Sequence, residues 1–490
     1  MIAALLLPAL LGFPGDIDAL AKQLKDPAEK TRRAAVQDLV REHSPAAWAL
    51  VLAALADPSA MVADEAQLAL ADVEDPALRR ELAGKHGLEA GDALLQRRAA
   101  EVFGRMQAPV DGAALLHALA DKDTELRRLA AWSLERAARR NAIEPKAAKS
   151  AIPALTEAFK HDKEALVRAA ALRALSALKP LDEQELGRDP APECVCARLQ
   201  CAVEQHGAAA LPQLAEMRTA SQLPVRCEVV LQLAALRSRP ALELLVSMLA
   251  DEHDARLAWT IASELTTLSG VRNERNVAAW KDWLARQPES WSPAPVRTGA
   301  AIPAAAGPET TTCVFVGMPV LSDHLALLID LSGSISKPRA DGKTRKEALD
   351  VELERTLHAF GKDVRFNLIP YTKQPLPWEK RLVEATSANV EKAVAWFRGL
   401  RDTGKGNVGA AFELAFSDPE IDTLLLFSDG APTGGEHWNL ELIAELFAER
   451  NRFRHLVLDA VIVDAKKPIA EHWRTICEQS GGRMLPVDMK

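Results

Sequence analysis

A paired helical pattern, repeated between Asp16 and Leu284, constrains the fold of this chain more than any other feature. Each copy holds two apolar stretches, with leucines and alanines three and four positions apart, separated by an acidic turn. This spacing predicts amphipathic helices, and the turn aspartate ends one helix and caps the next. The turn residues Asp121 and Asp162 are 41 positions apart. Because one hairpin alone cannot bury its apolar face, we expect the hairpins to stack on one another.

The pattern resembles HEAT repeats, whose period is of this length. The resemblance implies an all-α solenoid over residues 16–287, with a concave surface for binding. Residues 76–112 and 180–238 fit the pattern poorly and predict irregular repeats or insertions. An arginine early in a second helix would then pair with the turn aspartate of a neighbouring repeat. The arginines at such positions are Arg127, Arg128, Arg168 and Arg256.

The solenoid is predicted to close with a helix that carries Trp280 and Trp283 on one face. We expect both rings to pack against the last repeat; a ligand-binding aromatic pair is the alternative. Residues 288–312 are rich in proline and alanine and predict a semi-extended linker. Over residues 313–490 strand and helix signals alternate, beginning with a strand from Cys313 to Val320. This alternation predicts a mostly parallel sheet with helices on both faces.

Two strand ends in this second region carry clustered oxygen groups. The apolar run before Asp330 leads into Asp330-Leu331-Ser332-Gly333-Ser334, and a later run leads into Ser428-Asp429-Gly430. Alternate residues of an extended segment point the same way, so Asp330, Ser332 and Ser334 can converge. Ligands in parallel sheets bind beyond the carboxyl ends of the strands, where both loops lie. Such oxygen ligands suit a hard divalent cation.

The two loops resemble the metal-ion-dependent adhesion site of von Willebrand factor type A domains. The resemblance covers residues 313–490 and implies a doubly wound, Rossmann-like α/β fold. It implies that Ser332 and Ser334 bind Mg²⁺, or Mn²⁺ or Ca²⁺, directly, and that Asp330 and Asp429 bind it directly or through water. A carboxylate from a protein partner would then complete the coordination.

One ligand of the family's site is missing from this sequence. Gly406 stands where the family has a threonine, and Thr403 is the nearest substitute. The change predicts weaker cation binding and keeps open a structural domain whose site no longer holds metal. Lys405 also places a positive charge nearby.

Composition excludes several other classes of protein. The chain has 490 residues, 48% of them hydrophobic, a net charge of −8 and a single tyrosine. These values argue against wholesale disorder and against a nucleic-acid-binding surface. A hydrolase that combines Ser332 or Ser334 with His437 and Asp429 is the enzymatic alternative, but the sequence lacks the nucleophile-elbow motif.

The N-terminal 15 residues predict export. The apolar stretch from Ile2 to Phe13 suits a signal peptide and is too short to span a bilayer; a first helix of the fold is the alternative. No other stretch is long and apolar enough to cross a membrane.

The six cysteines leave three interpretations open. Cys194, Cys196 and Cys201 could form a metal site, one of them could form a disulfide with Cys227, or all could be buried free thiols. The sequence does not indicate a pairing for Cys313 and Cys477.

The sequence therefore predicts a non-enzymatic, exported protein of bacterial type that binds a protein partner. Contact would be made through the cation site, with the helical repeats as a second interaction surface. A structural scaffold of the cell envelope with a metal-free type A domain is the alternative from another class.

Overall fold

A computed structural model describes residues 16–110, 112–293, 313–338, 342–401 and 403–488. The predicted signal peptide and most of the predicted linker lie outside these residues. The chain divides into two compact units, which meet in sequence between Lys179 and Pro180. Within the described residues, every helix is too short or too polar to span a bilayer.

The described residues of the first unit form helices joined by turns, with one isolated bridge between Val110 and Ile143, and the turns fall at the predicted acidic positions. Asp123 accepts a hydrogen bond from the backbone N–H of Leu126 and so caps its helix. The predicted irregular segment contains two ordinary helices, α5 and α6. The helices of this unit are α1 Ile17–Gln23, α2 Glu29–Glu42, α3 Pro45–Ala54, α4 Ala60–Leu70, α5 Pro76–Ala83, α6 Ala93–Arg105, α7 Ala113–Ala118, α8 Thr124–Arg139, α9 Pro145–His161 and α10 Ala165–Leu178.

Arginines join successive hairpins, as the repeat pattern predicts. The guanidinium of Arg127 donates to both carboxylate oxygens of Asp162, at 2.6 and 3.1 Å, from the preceding hairpin. Arg32 contacts Asp57 in the same way, at 2.7 and 2.9 Å. The prediction is confirmed for Arg127. Arg168 donates to the backbone oxygen of Asp162 in its own turn, and Arg128 pairs with Glu125 of its own helix. Arg256 departs from the prediction, because its guanidinium donates to Asp459 of the second unit.

The second unit begins with six helices and a 3₁₀ turn at Gly207–Ala210. Trp280, on the last of these helices, is fully buried, so the predicted packing role is confirmed for this residue. Its ring meets that of Trp283 edge to face, with the ring centroids 6.1 Å apart. The helices are α11 Pro192–His206, α12 Leu211–Met217, α13 Leu223–Leu236, α14 Arg239–Asp251, α15 Ala255–Ser269 and α16 Val277–Ala285.

The rest of the second unit is a six-stranded sheet between helices. Its strands are β3 His324–Asp330, β4 Arg365–Tyr371, β5 Val383–Glu384, β6 Thr423–Ser428, β7 Val457–Val463 and β8 Met484–Val487. The strand order is β5-β4-β3-β6-β7-β8, and every pair is parallel except β4 with β5. Apolar clusters cover both faces, so the predicted doubly wound α/β fold is confirmed. The helices are α17 Arg345–His358, α18 Ser387–Gly399, α19 Val408–Phe416, α20 Leu440–Asn451 and α21 Lys467–Gln479.

The strand predicted from Cys313 to Val320 is instead a small hairpin. Strand β1, Val314–Phe315, pairs with β2, Met318–Pro319, in antiparallel fashion. Gly317 forms the turn with a φ of 85°, a left-handed conformation that glycine adopts without strain. The glycine was the signal in the sequence that the apolar run is broken.

Candidate metal centre

The two aspartate loops meet between β3 and β6, the point in the sheet from which the chain continues outward in opposite directions. Strands β3 and β6 are neighbours, and Ile329 is in register with Phe427. From β3 the chain moves outward to β4 on one side, and from β6 it moves outward to β7 on the other. In doubly wound sheets the loops diverge at such a point and leave a crevice that binds ligands. Asp330 and Ser428 end their strands at this crevice.

Asp330 forms the buried floor of the site. Its side chain is 5% exposed. One carboxylate oxygen accepts the backbone N–H of Ser332 at 2.8 Å, and the other accepts the hydroxyl of Ser428 at 3.0 Å. Burial, together with the nearby charge of Asp429, raises the pKa of Asp330 above its usual value. A cation here would supply the positive charge that this carboxylate lacks.

The two serines of the loop bring their hydroxyls together beside Asp330. Ser332 Oγ and Ser334 Oγ are 2.9 Å apart. A 3₁₀ turn from Gly333 to Ser336 follows, and the backbone N–H of Gly333 donates to the carbonyl of Gly404 at 3.2 Å. The loop is therefore tied to the neighbouring segment, and its hydroxyls are fixed before any ligand binds.

Gly406 packs its backbone directly against the Asp330 carboxylate. A Cβ atom added to Gly406 would lie 3.0 and 3.2 Å from the two carboxylate oxygens. Its N–H donates to the hydroxyl of Thr433 at 2.7 Å. Thr403, the substitute suggested by the sequence, is exposed. Thr433, rather than Thr403, is the threonine whose hydroxyl contacts this loop.

Asp429 is engaged by an arginine that the sequence did not single out. Arg345, the first residue of α17, donates to a carboxylate oxygen of Asp429 at 2.8 Å and also to Asp464. The Arg345 and Asp429 side chains are only 14% and 15% exposed. Arg345 is 84 positions from Asp429 in sequence and belongs to no motif, so only the folded chain reveals this contact.

Tyr371, the single tyrosine of the chain, lies beneath the site. It is in register with Asp330 on the adjacent strand and is 1% exposed. Burial, with the charge of Asp330 second, raises its pKa well above the usual value. Tyr371 therefore stays protonated and adds no charge to the crevice.

The two serines and Asp429 each have a partner within the site. The hydroxyls of Ser332 and Ser334 pair with each other, and Asp429 pairs with Arg345. His437 lies in the loop before α20, whose cap is Asn439. What the site brings together is two hydroxyls and a buried carboxylate, with a second carboxylate held by an arginine. These are candidate ligands for a hard divalent cation.

Known proteins resemble both parts of the chain. The family model for HEAT repeats matches residues 85–176. Inter alpha-trypsin inhibitor, heavy chain 4, from Mus musculus is 29% identical over 131 residues, which are 24% of this chain and 13% of that protein. Von Willebrand factor A domain-containing protein 3B from Homo sapiens is 26% identical over 115 residues, 23% of this chain and 8% of that protein. The chain thus spans about a tenth of the length of these relatives.

Solved structures give weaker similarities. A von Willebrand factor type A protein from Catenulispora acidiphila has a TM-score of 0.29 and 15% identity, over 34% of this chain and 39% of that one. The SpRpn10 VWA domain has a TM-score of 0.27 and 9% identity, over 34% of this chain and 88% of that one. The sequence relatives, with the sheet described above, support a von Willebrand factor type A domain that follows HEAT repeats along the chain.

Proposed function

We propose that this chain is a non-enzymatic binding protein that holds a protein partner through a divalent cation, Mg²⁺ or Mn²⁺, at its type A domain. Asp330, Ser332 and Ser334 would bind the cation, with Asp429 contributing directly or through water. The observation that carries the proposal is the 2.9 Å approach of the two serine hydroxyls beside a buried carboxylate. The HEAT repeats would offer a second interaction surface.

The chemistry of the ligands supports a bridging role for the cation. Hydroxyls are neutral ligands, so the site supplies less negative charge than a cluster of carboxylates. A carboxylate from a partner would both complete the coordination and neutralise the cation. The name of one relative mentions a von Willebrand factor A domain, which fits a role in protein interaction.

Arg345 and Gly406 favour a second candidate, an envelope scaffold whose type A domain holds no metal. Arg345 already satisfies Asp429, and Gly406 provides no hydroxyl. The two candidates differ in one respect. The cation-dependent protein must bind Mg²⁺ or Mn²⁺ at micromolar to millimolar concentrations, and the scaffold must not.

Calorimetric titration of Mn²⁺ into the full chain, stripped with EDTA, distinguishes these candidates. We expect one-site binding that is lost in Ser334→Ala and retained in Ser336→Ala, the matched control. Ser336 is exposed and lies in the same 3₁₀ turn. Equal binding by both variants, or no binding by the unaltered chain, would refute the cation site.

The carboxylate step has its own test. With Mn²⁺ bound, a short peptide containing glutamate should displace water from the cation and change the water-proton relaxation rate. The same peptide with glutamine should not. A response that is identical for both peptides would show that the partner's carboxylate does not reach the cation.

We further infer export, because the stretch from Ile2 to Phe13 has the length of a signal-peptide core. N-terminal sequencing of the protein from its native source tests this inference, and a mature chain that keeps Met1 would contradict it.

The cysteines are free thiols, and no disulfide joins any of the six. Burial raises the pKa of Cys196 well above its usual value, which favours the protonated thiol over the nucleophilic thiolate.

A further inference from the structure

A second cluster of metal-binding groups lies at the opposite ends of the same two strands. His324 is the first residue of β3, and Asp422 directly precedes β6. Asp254, the residue that caps α15, lies beside them. One ligand atom from each of these three side chains lies within 4.8 Å of the other two. The strand length places this cluster roughly 20 Å from Asp330, so it is separate from the site already described.

Asp422 has an oxygen that the protein leaves unsatisfied. Its side chain is 5% exposed. One carboxylate oxygen accepts the hydroxyl of Ser322, but the other, Oδ2, accepts no hydrogen bond of normal geometry from the described residues. A buried carboxylate oxygen without a donor is costly, and a bound cation is one way to compensate it.

Arg256, whose charge acts on Asp422, donates its hydrogen bonds to other groups. Arg256 donates to Asp459 at 3.2 Å and to the carbonyl of Gly481 at 3.3 Å. Burial, with the charge of Asp254 next, raises the pKa of Asp422 to about 8. The charge of Arg256 opposes this rise in pKa without outweighing it.

The other two groups have capacity for a ligand and access to solvent. Asp254 uses Oδ1 to accept the backbone N–H of Leu257 at 2.8 Å, which leaves Oδ2 for another contact. Asp254 and His324 line a cavity of about 550 Å³, and Asp254 and Asp422 line another of about 390 Å³. Water can thus supply a further ligand, and a metal ion has a path of entry.

We propose that Asp254, His324 and Asp422 bind a divalent transition metal of the Zn²⁺ class, which fastens helix α15 to strands β3 and β6. An imidazole nitrogen with two carboxylates suits Zn²⁺ better than Mg²⁺. Ligand atoms around tetrahedral Zn²⁺ are about 3.4 Å apart. The separations in the cluster are at most 4.8 Å, and rotation of the half-buried Asp254 and His324 side chains permits any closer approach that a metal ion requires.

Metal titration of the full chain tests the proposal. EDTA-treated protein is titrated with Zn²⁺ by calorimetry and with Co²⁺ by visible absorption, whose intensity reports the coordination geometry of the bound ion. We expect one equivalent in the unaltered chain, loss in His324→Gln, and at least tenfold weaker binding in Asp254→Asn. Ser336→Ala, an exposed serine near the opposite strand ends, should bind Zn²⁺ as the unaltered chain does.

The Asp254→Asn variant separates loss of a metal ligand from loss of folding. Asparagine caps helices as well as aspartate does, so α15 should persist while the charged ligand is lost. Asp92→Asn is the matched control, because Asp92 also caps a helix, with its carboxylate 2.8 Å from the N–H of Leu95. It should bind Zn²⁺ normally.

Two results would overturn the proposal. One is unchanged Zn²⁺ binding in both His324→Gln and Asp254→Asn. The other is binding that is lost only in His455→Gln, because His455 belongs to a neighbouring cluster with Cys196 and Glu228. That result would place the metal at the second cluster.

Discussion

Arg345 should compete with the cation for Asp429, and removing its charge should tighten cation binding. Its guanidinium donates to Asp429 at 2.8 Å, so a cation that uses the same carboxylate must share it with a positive charge. Replacement by methionine keeps much of the side-chain volume and removes the charge. We therefore expect Arg345→Met to bind Mn²⁺ more tightly than the unaltered chain.

The structure sets the size of this effect. A guanidinium and a cation that share one carboxylate would be about 6 Å apart, given ordinary metal–oxygen distances. In water at low ionic strength, the repulsion between single and double positive charges at that separation is about 1.4 kcal/mol. This corresponds to a tenfold change in Kd. Because both side chains are mostly buried, the effective dielectric constant is lower and tenfold is a lower bound.

Calorimetry with Mn²⁺ measures the effect, and Arg345→Lys is the control. Lysine keeps the charge, so its Kd should stay close to that of the unaltered chain. Arg345→Met should also lower the free energy of unfolding by about 2 kcal/mol, because Asp429 and Asp464 lose a partner. Binding that is unchanged or weaker in Arg345→Met would refute competition and show that Arg345 instead positions Asp429 for the cation.

Three further predictions concern Gly406, the repeats and a buried carboxylate. Gly406→Ala should weaken Mn²⁺ binding and cost about 1 kcal/mol, since its Cβ would crowd Asp330, whereas Gly361→Ala, with open space around it, should change neither quantity. Arg127→Ala should lower the free energy of unfolding by about 3 kcal/mol in denaturant titrations, because it leaves the buried carboxylate of Asp162 unpaired. An effect no larger than that of Arg41→Ala, which breaks an exposed ion pair, would contradict this prediction. Burial raises the pKa of Asp459, but the charges of Arg256 and Arg483 outweigh it and hold this pKa below 3.8. The ionised carboxylate therefore stabilises the fold above pH 3.8, and the stabilisation is lost as the pH falls through the pKa of the folded state. Thermal unfolding of Asp459→Asn should show a penalty at pH 7 that shrinks below pH 3.8, and a penalty independent of pH would count against this assignment.

The sequence could predict the convergence of the two aspartate loops because the rule behind it is local. Asp330 and Asp429 follow apolar runs, and parallel strands bring their carboxyl ends to one edge. The pairing of Arg127 with the next turn was predictable for a similar reason, since the repeat sets both positions.

Contacts set by tertiary packing could not be predicted in this way. Arg345 reaches Asp429 only because α17 begins beside the crevice. Asp254, His324 and Asp422 come from a helical cap and two strand starts, far apart in the chain, with no shared motif. Single side chains that meet across separate elements leave no periodic signal in the sequence.

The most direct test of the cation site is anomalous diffraction from a crystal of the full chain soaked in Mn²⁺. We predict an anomalous peak within coordination distance of the Ser332 and Ser334 hydroxyls, close to Asp330. A peak at the predicted Zn²⁺ cluster alone, or none at Ser332 and Ser334 while Arg345 stays bound to Asp429, would contradict cation-dependent binding and favour the metal-free scaffold.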